Sequence, residues 1–273
     1  MRHIDLKAVI AVTPPEILQA LSSADTSIQS LSDGKKISYA KNGNRTWSQI
    51  KPHLENASNR KCWYTESKNP GCLNDVEHFR PKGKVEDDKG TTIHWYWFLA
   101  FNPLNYRLSC ILPNRPNINS VHDGKTGGKG DQFPLLGTPN HATNICDLVY
   151  EQPVILDPCN HDDTILLAFA PDGRPVLSPL FTGDAVAFHR VEASKLLLNL
   201  DYPTFNVDRE RLYNRIVKLV ARGDRYKLEK SSALDDIKDD LLELVSAGAE
   251  YSKAAECYIR CFRDREWIEG LFT

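Results

Sequence analysis

Between about residue 60 and residue 140 the chain is rich in Gly, Pro, Asn and aromatic residues and carries only short strand-like runs, such as Ile93 to Phe98 and Tyr106 to Leu112. That punctuation rules out a long helix through the middle and calls for short strands joined by irregular loops. The flanks differ. Pro14-Pro15-Glu16 opens a helix through Ala20 and Leu21, 34–47 is a turn-rich connection, and Trp47, Ile50 and Leu54 share a helical face interrupted by Pro52. Beyond 150, Pro153 to Asp157 reads as a strand and 166–177 as a hairpin turning at Pro171-Asp172-Gly173. Two helical stripes follow: Leu212, Ile216, Leu219 and Val220, then Ile237, Leu241, Leu244 and Val245. These patterns predict an α+β protein: an N-terminal helical segment over 1–60, a central module over 61–140, and a mainly helical region with a short β-hairpin over 141–273.

The 273 residues, 41% apolar and 26% charged, suit a folded chain with a sizeable core. No apolar run approaches the roughly 20 residues of a bilayer span. The patch Ala8 to Val12 is too short for a signal peptide and is broken by Pro14 and Pro15. A cytoplasmic protein without membrane partners is therefore expected. Cysteines at 62, 72, 110, 146, 159, 257 and 261 are odd in number and irregularly spaced, which favours free thiols or metal ligands over a disulfide framework. A net charge of −2 argues against coating nucleic acid by bulk charge. Phe79 to Gly130 nevertheless holds eight Lys/Arg against four Asp/Glu, while Asp224 to Thr273 holds eight against twelve. A local positive groove on a near-neutral protein is compatible with binding phosphate.

The segment Asp75 to Lys82, DVEHFRPK, concentrates the chemistry. A neutral imidazole at His78 can take a proton from water near pH 7, and the Glu77 carboxylate can hold a hard divalent cation. Neighbours on a strand face opposite ways, so both serve one site only at a strand end or bend, which Pro81 and Gly83 would supply. Asn105 and Asn114 stand nine residues apart across a strand-like run, Asn114 at the start of a short helix. Either amide can ligate Mg2+ or pin a loop. The loop HDGKTGGKGD (122–131) lacks the spacing of a nucleotide-binding P-loop.

This ordered set resembles the HNH endonuclease family, whose ββα-metal fold carries an acid–His pair on a first strand, an Asn near the second and an Asn or His in the helix. More narrowly, KCWYTE, VEHFRPK, YWFLAFNPLNYRLSC, KGDQFPL and PVILDPC, in order from Lys61 to Cys159, look like the HNH nucleases of Septu and retron anti-phage systems. The later segments LSPLFTGDAVAFHRVEASKLLLNL and DRERLYNR look like that family's C-terminal helical part. The resemblance implies a central ββα-metal HNH module, with His78 as general base and Asn105 bracing its loop. It makes Glu77 and Asn114 ligands of one Mg2+ or Mn2+, and Arg80, Lys82 and Lys129 contacts to the nucleic-acid backbone. It also implies a partner ATPase, for which the acidic amphipathic helices after residue 206 offer a docking surface.

The pattern departs from the family where many relatives hold a structural zinc with two C-x-x-C knuckles. Cys62 is followed by Thr65 and Cys110 by Pro113, neither a good ligand, so the four-cysteine site is absent as written. A rearranged zinc site would need Cys62, Cys72, Cys110 and a histidine; packing by Trp63, Trp95 and Trp97 is the expected substitute, and zinc is not expected. His94 reads as packing and His122 as a surface histidine. Cys146 and Cys159 lie near histidines and admit a cysteine-nucleophile reading, with proximity alone behind it. The rival to an endonuclease is a catalytically inactive nucleic-acid-binding or scaffolding subunit.

Overall fold

The N-terminal helices form where caps and prolines start them. Asp5 caps α1 (Leu6–Ala11) by accepting from the Ala8 amide at 3.0 Å, and Pro15 occupies the first turn of α2 (Pro15–Gln29), where a missing N–H is harmless. A computed structural model describes residues 1–43, 45–68, 71, 73–122, 124–137 and 140–271. The connection expected over 34–47 contains a short helix, α3 (Asp33–Ser38), and a wide turn at Tyr39–Gly43. Pro52 sits in the first turn of α4 (Lys51–Ala57), so it opens that helix instead of interrupting it. Leu21, Ala24, Ile28, Ile50 and Leu54 bury their faces against Trp63, Val76, Tyr106 and Leu108, covering one side of the central strands.

Those strands are short. β1 (Asp75–His78) pairs antiparallel with β4 (Tyr106–Ser109), placing Glu77 opposite Arg107 and His78 opposite Tyr106. Between them β2 (Val85–Glu86) pairs with β3 (Thr92–His94), and after β4 come α5 (Ile111–Asn114), β5 (Asn117–Ile118) and β6 (Thr126–Gly127), the last two paired. The strand expected over Ile93 to Phe98 stops at His94. The chain instead turns through a short helical turn at Trp97–Leu99, and Phe98, Leu99, Ala100 and Phe101 are all buried. Pro153 to Asp157 likewise forms no strand; Val154, Ile155 and Leu156 are all buried, and Pro153 makes one bridge to Leu135. Asn114 ends α5 rather than starting it.

The C-terminal region begins after α6 (His161–Thr164) with the expected hairpin, β7 (Leu167–Phe169) against β8 (Pro175–Leu177). Gly173 turns it at φ +80°, and a Cβ there would meet the Asn206 carbonyl at 1.9 Å, so only glycine fits. Asp184 caps α7 (Ala185–Leu197) through the amides of Val186 and Ala187. α8 (Pro203–Leu228), α9 (Ala233–Leu244), α10 (Ser252–Arg260) and α11 (Glu266–Glu269) follow; α10 packs on β7, and α8, α9 and α11 pack around α10. Both predicted stripes line this core, in which Ile216, Leu219, Val220, Ile237, Leu241 and Leu244 are buried. Buried Glu66 joins the first residue to the start of α10: it lies 3.1 Å from the Met1 amine and accepts from the Ser252 hydroxyl and the Lys253 amide. Among the described residues no helix is long and apolar enough to cross a membrane.

Candidate functional site

The parity of β1 separates the two residues that the sequence sets side by side. His78 faces the N-terminal helices, between the rings of Tyr106 at 5.0 Å and Trp47 at 5.4 Å. Its Nε2 lies 3.0 Å from the Ala100 carbonyl oxygen. A carbonyl only accepts, so Nε2 carries the proton and Nδ1 keeps the lone pair. Burial, reinforced by the charges of Lys82 and Lys129, pushes the imidazole down to about 3 and holds it neutral. Lys82 stacks its ammonium 4.3 Å over the Trp47 ring. Burial and the nearby Arg45 lower Lys82 to about 8.

Glu77 faces the other way. The Tyr64 hydroxyl donates to its Oε2 at 2.9 Å, and the Lys129 ammonium stands 2.5 Å from its Oε1. Oε1 has no well-directed hydrogen bond, so the short approach is a charge contact. Lys129 directs its donor bond, 3.0 Å long, to the His78 carbonyl. Both members of the ion pair are buried, with side chains 2% exposed. Asn114 is elsewhere: its Nδ2 donates to Asp75 Oδ2 at 3.1 Å, an oxygen that also accepts from Arg115 at 2.9 Å.

A divalent cation shared by Glu77 and Asn114 does not fit this arrangement. An ammonium already stands against the carboxylate, and the amide is bound to a different acid. Among the described residues no three His, Cys, Asp or Glu side chains form a ligand group.

Asn105 sits where a brace is needed. Its Oδ1 accepts from the Arg80 amide at 2.8 Å, its Nδ2 donates to the Arg80 carbonyl at 2.9 Å, and its own carbonyl accepts from the Phe79 amide at 2.8 Å. These bonds lock the backbone leaving β1. The Arg80 guanidinium is turned inward onto Glu151 at 2.6 Å, and Glu151 also accepts from Tyr96 and the Ala142 amide. Of the three cations expected to hold a nucleic-acid backbone, Arg80 and Lys129 are therefore spent on internal acids, and Lys82 on the Trp47 ring. The sequence reading missed Tyr64, Asp75 and Trp47 as site partners. It also missed Arg107, whose guanidinium grips Asp157 with two 2.6 Å bonds below the strand pair.

Cys62 and Cys110 do come together, the Cys110 amide donating to Cys62 Sγ at 3.4 Å, with the Thr65 hydroxyl 3.9 Å from Cys110 Sγ. Burial opposes a thiolate at Cys62, but bonds from Cys110 and Thr65 outweigh it and lower that thiol. Cys72 lies outside the described residues. Trp63 is buried behind the pair, whereas Trp95 is exposed and takes no part in replacing a metal staple. His94 packs as expected, stacked on His141 and bonded to the Ala142 carbonyl. His122 is more enclosed than a surface histidine, its Nε2 2.9 Å from Asp201. Burial pushes the Cys159 thiol up to about 12, the reverse of what a cysteine nucleophile needs.

No family model matches the chain, and no curated protein matches it.

Proposed function

We propose that the protein is an HNH-type endonuclease that hydrolyses phosphodiester bonds with a divalent metal, Mg2+ or Mn2+. Its setting would be a bacterial anti-phage system with a partner ATPase. The observation that carries this reading is the reciprocal Asn105–Arg80 clasp, which fixes the end of β1 beside a neutral imidazole that feels the charges of Lys82 and Lys129. The order of strand with Glu77-His78, Asn105, strand and short helix is the order that the resemblance calls for.

In this reading His78 accepts the proton of the attacking water at Nδ1, because Nε2 is committed to Ala100. At about 3 the imidazole is always unprotonated near neutrality but weakly basic. A phosphodiester arriving beside it brings negative charge that offsets Lys82 and Lys129, the smaller causes of that shift, while burial, the larger cause, keeps the base weak. Asn105 acts through position, holding the backbone on which His78 sits. The ββα-metal module is part of this proposal, since the ligands as placed do not converge. DNA is the favoured polymer, and an RNA such as tRNA presents the same phosphate chemistry. The ATPase would dock on α9, where Asp235, Asp236, Asp239 and Glu243 are exposed.

One observation favours a second reading, a catalytically inactive nucleic-acid-binding or scaffolding subunit: Lys129 stands against Glu77 where a cation would bind. Purified protein, alone and with its ATPase, is incubated with plasmid and total RNA in Mg2+, Mn2+ or chelator. Cleavage that chelator abolishes supports the enzyme; binding without cleavage in every condition supports the second reading. Isolation of the native complex without an ATPase would count against that partner.

A further inference from the structure

The long helix α8 presents a row of cations that the candidate site does not use. Arg211, Arg215, Lys218, Arg222 and Arg225 are all exposed. At 3.6 residues per turn they fall within about 40° either side of one line, on the face away from buried Ile216, Leu219, Val220 and Gly223. From Arg211 to Arg222 the row runs about 16 Å along the helix at 1.5 Å per residue. It borders an open hollow of about 520 Å³, which Asn214 and Lys218 line on one side and Asp240 of α9 on the other.

The nearby acids leave the middle of the row unmatched. Asp208 pairs with Arg211 at 3.2 Å and Glu229 reaches Arg225 at 4.0 Å, both well exposed. Among the described residues Arg215, Lys218 and Arg222 have no carboxylate within ion-pair distance, although Asp240 lines the hollow and Glu243 the adjoining one. Arg222 instead meets the Tyr226 hydroxyl, which the two arginines beside it, Arg222 and Arg225, favour in its ionised form.

We infer that this row is a second binding surface for the phosphate backbone of nucleic acid, set apart from the hydrolytic site and holding a polymer longer than the site itself contacts. The inference rests on the phosphodiester reading for its polymer and on the charge row for its geometry. Evenly spaced cations without base-reading or apolar partners bind backbone without regard to sequence. An acidic protein would need an apolar centre to its interface, and Leu219 is the only apolar side chain in the lining.

The test uses the full chain carrying Arg215→Gln, Lys218→Gln and Arg222→Gln together, with Arg222→Gln alone as a second variant. Fluorescent 30-base-pair DNA, single-stranded DNA and RNA of equal length, and polyglutamate as an acidic polypeptide, are titrated across a salt series. Hydrolysis of bis(p-nitrophenyl) phosphate, too small to reach the row, is followed in parallel. The expected result is about tenfold weaker binding near 0.1 M salt and a log–log salt slope shallower by two to three. The single variant is expected to change the slope by about one, with small-substrate hydrolysis unchanged. Weaker binding by a protein that hydrolyses nothing upholds the row while removing the nuclease. Unchanged affinity and slope for all three nucleic acids in a folded variant overturn it. So does loss of polyglutamate binding alone, which would assign the row to an acidic protein.

Discussion

Lys129 and Glu77, far apart in sequence, meet as a buried ion pair 2.5 Å across, and the same ammonium bonds the carbonyl of His78. One lysine thus fixes the acid on one face of β1 and the backbone of the base on the other.

Removing Lys129 tests that dual hold. Lys129→Met leaves Glu77 buried without a countercharge and should cost about 3–5 kcal/mol. Adding Glu77→Gln should recover much of the loss, as chemical denaturation of the single and double variants would show. Lys129→Met should also bind Mn2+ more tightly than wild type by calorimetry, since the cation beside Glu77 is gone. Equal or weaker Mn2+ binding would mean that Glu77 is not a metal ligand.

Acid should unfold the protein partly through His78. The unfolded imidazole takes up its proton near 6.5 and the folded one only near about 3. The unfolded state therefore binds more protons between those values. The stability that His78 contributes is complete above 6.5 and is lost as pH falls toward 3, at up to about 1.4 kcal/mol per pH unit. His78→Gln, which cannot charge, should flatten the slope in urea melts over that window. The Ala100 carbonyl stays partly satisfied in such a variant, because the Tyr106 hydroxyl also donates to it at 2.9 Å.

Asn105 should prove a positioning residue. Asn105→Ala leaves the amide and carbonyl of Arg80 without partners and should cost about 1–3 kcal/mol. Cleavage should fall more than nucleic-acid binding, a split in kcat against KM that a purely structural residue would not produce.

Much of the scaffold is legible in the sequence because local rules decide it. Pro15 starts a helix, Gly173 is the only residue that fits its turn, and the Leu212–Val220 and Ile237–Val245 stripes follow helical period onto the core. Asn105 also stands where a loop brace would stand. The rest depends on pairings across the fold. Lys129, in a Gly/Lys loop, reads as a solvent-facing charge until the fold brings it to Glu77, and Arg80 reads as a phosphate contact until Glu151 is seen beside it. Strand parity set His78 and Glu77 on opposite faces because β1 continues through His78 without the bend that the sequence suggested at Pro81. Trp47, read as one apolar position on a helix, proves to touch both His78 and Lys82.

Thiol chemistry should be irrelevant to activity. Cys159 is held as a neutral thiol and Cys146 is exposed, so alkylating the accessible cysteines should leave phosphodiester cleavage within about twofold of the untreated rate. A complete loss would revive a cysteine nucleophile.

The central claim is that the His78 imidazole is the base in a phosphodiester cut. Its most direct test compares wild type with His78→Ala, each with its ATPase partner and Mn2+, for cleavage of plasmid or RNA and for binding of the same polymer. Cleavage should fall by about two to four orders of magnitude while binding holds. Equal cleavage by a folded His78→Ala protein would contradict it.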